Sequence, residues 1–167
     1  MHEATGEARG SALRKGLYFR YSVTHCGAFG KDFVEIEVKE DGSCCYSNSS
    51  QYKSTDLIKK ECKLSPLVCE HIEEVIVESG ILSGGVNDEN WPVPVSGGGY
   101  QELEIILHES RLSLCTTNID SHSQVLSLAS QMNDADWKGL ETFYYLTLQL
   151  KGFILDLISL HFKGSPI

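Results

Sequence analysis

The segment of residues 137–162 constrains the fold more than any other part of this sequence. It has no proline, and apolar residues recur at helical spacing for about seven turns. At 100° per residue, one side of this predicted helix carries Leu140, Tyr144, Leu148, Leu155, Ile158 and Phe162, and an adjacent side carries Leu146, Leu150, Phe153, Leu157 and Leu160. Together the sides span roughly 240°, whereas packing on one surface needs roughly 100°. Either the helix is wedged between two elements of its own chain, or its outward side binds another protein.

A second, shorter helix is predicted to begin after Ser65. Ser65 suits the N-cap and Pro66 the first helical position, and Val68, Ile72, Val75 and Ile76 then recur on one face before Gly80. If the two helices lie side by side, their outward surfaces form one protein-binding patch. Burying four or five leucine-sized side chains there would contribute on the order of 6 to 15 kcal/mol before association costs are subtracted. Such a patch would support a tight, persistent partner.

The remaining patterned segments predict antiparallel strands. Residues 17–24 and 31–40 are rich in aromatic and β-branched residues around a turn at Gly27 and Gly30, which indicates a hairpin. Asp41-Gly42 is a turn dipeptide that favours a third strand over residues 43–47. Residues 101–107 and 111–116 predict a second hairpin. The stretch 83–100 reads as a long loop, and 118–134 as a surface excursion with a short helical piece.

Composition excludes several classes of protein. The formal net charge of -9 repels phosphate, so direct binding to nucleic acid is disfavoured. No uninterrupted apolar run reaches the roughly 18 residues of a membrane span. Six cysteines without an apolar secretory segment at the N-terminus indicate free thiols in a reducing compartment. Residues 1–16 are small, polar and aperiodic, so we expect a disordered tail before a single domain at 17–167.

The sequence offers little that could support catalysis. Its glycine clusters lack the residues of a phosphate-binding loop, and neither a G-x-S-x-G elbow nor an H-E-x-x-H motif is present. Glu35 with Glu37, and Glu102 with Glu104, are predicted to point from one sheet face into solvent. No cysteine pair has the spacing of a structural zinc site. The alternative left open is a small α+β enzyme using a cysteine or strand carboxylates, which would require a concave pocket with a strongly shifted pKa.

Seven short strings, in order along the chain, resemble the Mago nashi family. They are Leu17-Tyr-Phe-Arg-Tyr, Gly27-Ala-Phe-Gly, Trp91-Pro-Val-Pro, Gln101-Glu-Leu-Glu-Ile, Gly139-Leu, Phe143-Tyr-Tyr-Leu and Leu157-Ile-Ser-Leu-His-Phe-Lys. The resemblance runs from residue 17 to the last residue. Departures at Cys44-Cys45-Tyr46, at Lys138, in the Trp91 string and in the longer segment 118–134 mark a divergent member, either a species variant or a paralogue.

The resemblance implies an α+β fold in which an antiparallel sheet carries two long α-helices packed side by side on one face. It implies a non-enzymatic protein without cofactor or metal that forms a tight heterodimer with an RRM-domain protein and masks that protein's RNA-binding sheet. By resemblance and helix periodicity together, the expected contact residues are Val68, Ile72, Val75, Ile76, Leu146, Leu150, Phe153, Leu157 and Leu160.

A larger assembly also follows from the resemblance. The heterodimer is expected to clamp a DEAD-box RNA helicase of the initiation-factor four A type on spliced mRNA, in the core of the exon junction complex, with RNA contacted only indirectly. The expected setting is the nucleus, with shuttling to the cytoplasm, in mRNA splicing, export, localisation and nonsense-mediated decay. Contacts with the helicase or with a cytoplasmic disassembly factor are expected at Phe29, Asn48, Lys53, Asp136 and Lys138.

Overall fold

A six-stranded antiparallel sheet forms the central layer of the structure, a computed structural model that describes residues 16–51 and 55–162. The strand order is β4-β3-β2-β1-β5-β6. The strands are β1 (Tyr18–Gly27), β2 (Gly30–Val38), β3 (Ser43–Ser50), β4 (Thr55–Lys63), β5 (Tyr100–Leu107) and β6 (Ser110–Thr117). The helices are α1 (Pro66–Glu78), α2 (His122–Ala129) and α3 (Asp134–Phe162). The expected α+β architecture is therefore confirmed. The tail expected at residues 1–16 lies outside the described residues except for Gly16.

Both predicted hairpins are present, and the sheet is one strand wider than the pattern indicated. β1 pairs with β2 and β5 with β6, all antiparallel, and β3 extends to Ser50. No strand was predicted where β4 forms. β4 is an edge strand, and its Leu57 and Ile58 remain exposed. Its sequence therefore alternates only weakly between apolar and polar residues, and it carries three lysines. This strand is recognised by its pairing with β3, and its local sequence pattern does not predict it.

Only one face of the sheet is apolar. Alternate residues of the central strands point to that face and are buried, among them Phe19, Tyr21, Ile36, Leu103 and Ile105. The opposite face carries ion pairs between neighbouring strands. Arg20 Nε lies 2.8 Å from Glu35 Oε2, and Arg111 Nη2 lies 3.1 Å from Glu104 Oε1. The helices therefore pack on a single face, as one-sided burial requires.

Capping residues fix where the helices begin. The backbone N–H of Val68 donates to Ser65 Oγ at 3.3 Å, and Pro66 occupies the first turn of α1, as predicted. α3 begins at Asp134, three residues before the predicted start. The backbone N–H of Asp136 donates to the side chain of Asn133 at 2.9 Å, so Asn133 caps this helix. The short helical piece expected in residues 118–134 is α2.

A buried stripe on α3 joins the helix layer to the sheet. Its members are Leu140, Phe143, Leu146, Leu150, Ile154 and Ile158. Trp91, from the long loop between α1 and β5, packs against Phe143 with ring centroids 5.3 Å apart and donates from Nε1 to the carbonyl of Asp136 at 3.2 Å. That loop also contacts the sheet, where the N–H of Thr117 donates to the carbonyl of Pro92 at 2.9 Å. Loop, helix and sheet thus share one core.

By length and composition alone, α3 could also cross a membrane. An 18-residue stretch within residues 134–161 reaches a mean hydropathy of 1.2, although charged residues interrupt every apolar run. Core helices of folded domains pass the same test. One side of α3 is packed on the sheet, and this packing accounts for the apolar composition of that side.

Replacing Phe143 with alanine should destabilise the fold by about 3 to 5 kcal/mol, because it removes a fully buried ring and leaves a cavity beside Trp91. Urea unfolding followed by circular dichroism measures this loss. Leu160→Ala on the same helix is the matched control, because its side chain is largely exposed and its cost should stay within about 0.5 kcal/mol. Equal losses in the two variants would contradict the assigned orientation of α3.

Candidate protein-binding surface

α1 and α3 meet at one aromatic contact on the helix side of the molecule. The His71 ring packs edge-on against Phe153, with centroids 5.2 Å apart and planes inclined by 70°. Phe153 is half-buried, whereas His71 remains exposed. The two helices therefore lie next to each other, and both present side chains to solvent beside this contact.

Five of the nine residues expected to touch a partner are buried in the structure. Ile72, Val75, Ile76, Leu146 and Leu150 are buried in the core against the sheet. A docking partner cannot contact side chains that expose almost no surface. Periodicity correctly placed these residues on one side of each helix. In the structure that side faces the sheet, whereas the prediction had it facing the partner. Their role in this chain is to attach the helices to the sheet.

The other four expected contact residues retain exposed surface. Val68, Phe153 and Leu157 are half-buried, and Leu160 exposes 65% of its side chain. Phe153, Leu157 and Leu160 are spaced four and three residues apart, so they follow one another along the same side of α3. These four residues remain the candidates for a protein contact.

Two further residues belong to this surface and were not expected. Leu67 is 75% exposed and lies one turn before His71 on α1. Leu67 falls outside the apolar period of α1, and His71 is polar, so neither fits the pattern that selected the others. We define the helix patch as Leu67, Val68, His71, Phe153, Leu157 and Leu160. The apolar period therefore selects four of the six patch residues, and only Leu67 and His71 lie outside it.

Acidic side chains border the helix patch on α1. This helix contains Glu70, Glu73, Glu74 and Glu78 and neither lysine nor arginine. They line a shallow depression together with Val77, whose side chain is largely exposed. Glu74 Oε2 lies 3.8 Å from His71 Nδ1, at the margin of the patch. An apolar centre with a negative border fits a partner that has an apolar surface flanked by basic residues.

The opposite flank of α3 carries a separate exposed apolar surface. Leu148 is 49% exposed there, and Tyr145 packs against His122 of α2 with ring centroids 5.3 Å apart. His122 Nε2 also lies 2.9 Å from Glu141 Oε1, which ties α2 to α3. Because α2 covers part of this flank, it is distinct from the helix patch. Leu148 is therefore a useful reference position on the same helix.

The described residues expected to contact a helicase or disassembly factor lie on three separate elements. Phe29 is 88% exposed in the β1–β2 turn. Asn48 lies on β3, where its Nδ2 donates to the Tyr46 hydroxyl at 3.0 Å. Asp136 and Lys138 lie in the first turns of α3. Lys53 lies outside the described residues. Among the four described residues of this set, Phe29 is the only one with an apolar side chain.

The geometry gives the alternative enzymatic reading little support. Burial above all raises the pKa of Cys44 to about 12, and burial also raises the pKa values of Cys69 and Cys115, which disfavours the reactive thiolate at these three positions. The strand carboxylates Glu35 and Glu104 are engaged with Arg20 and Arg111 on the open sheet face. Among residues 16–51 and 55–162, no group of three or more His, Cys, Asp or Glu side chains could hold a metal ion.

Comparison with known proteins identifies the family of this chain. The family model described as "Mago nashi protein" matches residues 17–167. A "Protein mago nashi homolog" of Arabidopsis thaliana is 43% identical over 151 residues, which cover 90% of this chain and 95% of that protein. A protein of the same name from Dictyostelium discoideum is 41% identical over 151 residues, 90% of this chain and 72% of its own length. A match of this extent over both chains shows that this chain belongs to the Mago nashi family.

Proposed function

We propose that this chain is a non-catalytic core subunit of an exon junction complex and that its helix patch binds the RNA-binding sheet of an RRM-domain protein. The exposed apolar surface at the junction of α1 and α3 carries this proposal. In a protein with a complete core of its own, exposed leucine and phenylalanine side chains clustered on two neighbouring helices indicate a protein contact. The RRM-domain partner is the one that the resemblance to the Mago nashi family implies.

The shapes of the two surfaces support this pairing. Two helices side by side present a broad, gently ridged surface that can cover the face of a small sheet. An RRM normally exposes aromatic side chains on that face to stack RNA bases. Covering such aromatic side chains with Phe153, Leu157 and Leu160 would bury apolar area on both proteins. A persistent complex of this kind requires roughly 1,600 Å² or more of buried surface.

Charge supports an indirect role on RNA. The chain carries a formal net charge of -9, and α1 contributes four carboxylates close to the helix patch. This negative charge repels the phosphates of RNA. It attracts a partner protein that carries basic residues around its own sheet. In the proposed assembly the heterodimer clamps a DEAD-box helicase on spliced mRNA, and the helicase holds the RNA. We place this activity in the nucleus, with shuttling to the cytoplasm.

Leu160→Arg should weaken binding to an RRM-domain partner from the same organism by roughly 30- to 1,000-fold, because it places a charge in the apolar part of the interface. Co-purification on a size-exclusion column detects the complex, and isothermal titration calorimetry measures the affinity. Circular dichroism should show an unchanged fold, since the native side chain is mostly exposed.

Leu148→Arg is the matched control for this experiment. It makes the same substitution on the same helix, but on the flank next to α2 and away from the helix patch. We expect it to bind the partner as well as the unmodified chain. Equal weakening by both substitutions would place the interface elsewhere. If the unmodified chain formed no complex with any RRM-domain candidate, the proposed function would be wrong.

Phe29→Ser should reduce capture of the DEAD-box helicase by the assembled heterodimer and leave the heterodimer intact. Its ring is largely exposed in the β1–β2 turn, so an intermolecular contact is the main interaction it can lose. Pull-down of the helicase with ATP analogue and single-stranded RNA measures this effect. Val93→Ser, in the loop between α1 and β5, is the control with a comparably exposed apolar side chain. Unchanged helicase capture by the Phe29 variant would remove Phe29 from the contact.

A further inference from the structure

Two cysteines face each other across the outermost pair of strands. In the antiparallel register of β3 and β4, Cys44 is the direct partner of Cys62. Directly opposed residues in such a pair point to the same face and have Cα atoms about 4.5 to 5.5 Å apart. Disulfides span Cα separations of about 4.4 to 6.8 Å. The backbone register therefore already holds this pair within the distance of a disulfide bond.

The surroundings of the two thiols differ. Cys44 is 1% exposed on the core face, and burial, with a further contribution from the neighbouring Cys62 thiol, raises the pKa of Cys44 to about 12. Cys62 lies on the edge strand and is only half-buried. A small oxidant can therefore reach Cys62 more easily than Cys44.

We propose that Cys44 and Cys62 form an oxidative modification site, at which hydrogen peroxide joins β3 to β4 through a disulfide. The Cys62 sulfur attacks one peroxide oxygen, and the O–O bond breaks. Water is released, and Cys62 becomes a sulfenic acid. The Cys44 sulfur then attacks the Cys62 sulfur, and its proton departs with the displaced hydroxide as a second water. Two thiols and one peroxide thus give one disulfide and two waters. The two electrons pass from sulfur to peroxide.

The bond would restrain the edge of the sheet and the element that follows it. Residues 44–62 would become a closed loop, which limits the conformations of the unfolded chain. β4 ends at Lys63, and α1 begins at Pro66, so the restraint acts directly before the first helix of the helix patch. This site rests on strand register, and it holds whether or not the chain binds an RRM-domain protein.

The test treats the full-length reduced chain with hydrogen peroxide, alkylates the remaining thiols and analyses intact mass and peptides by mass spectrometry. We expect a loss of two hydrogens and a peptide that links Cys44 to Cys62. The melting temperature should rise by roughly 5 to 10 °C and return to its starting value after reduction. Cys44→Ala and Cys62→Ser should each abolish the linked peptide and the thermal shift.

Cys45→Ser is the matched control, because Cys45 points to the opposite sheet face and pairs in register with Glu61. This variant should still form the linked peptide and show the same thermal shift. Cys69→Ser tests the thiol on α1, which also lies near Cys44, and should behave like Cys45→Ser. A link from either cysteine to Cys69, oxidation without a link, or no reaction with peroxide would each overturn the proposal.

Discussion

The packing of α3 on the apolar face of the sheet is the contact on which the rest of the structure depends. Its buried stripe is shared by the sheet, by α1 and by the loop that carries Trp91. Phe143 contacts Trp91, and Phe153 contacts His71. Fixing α3 therefore fixes the position of α1 beside it. If α3 rotated about its axis, core residues and patch residues would exchange places, so the binding surface and the core are determined by one packing arrangement.

This dependence explains why a stable domain leaves apolar side chains in water. A helix on a flat sheet buries only part of its circumference, and α3 is apolar over more than that part. α2 covers some of the remainder on one flank, near Tyr145. On the other flank α1 covers only part of Phe153, and Leu160 stays exposed. The surplus noted in the helical period is therefore real surface, and wedging between elements of the same chain does not remove it.

The sequence predicted most of the elements but not the orientation of the helices. Alternation and helical period found five strands, both long helices and the short α2, because each has a local pattern. β4 was missed because an edge strand with exposed Leu57 and Ile58 lacks alternation. Five contact candidates proved to be core residues, because periodicity shows which residues share a side and does not show which side meets the sheet. Leu67 and His71 required the structure, since neither fits an apolar period. The partner itself stays a prediction.

The two edges of the sheet are protected in different ways. Because both are protected, association with a partner is expected on the helix side of the molecule. At β6 the loop after α1 covers the edge: the N–H of Cys115 donates to Asp88 Oδ2 at 2.6 Å, and that of Thr117 to the carbonyl of Pro92 at 2.9 Å. At β4 charged side chains line the strand, where Lys59 pairs with Glu61 at 2.7 Å. Charges on an edge strand disfavour addition of a foreign strand. On the open sheet face, ion pairs across the strands similarly disfavour an apolar partner. An apolar partner of this chain therefore finds its best match on α1 and α3.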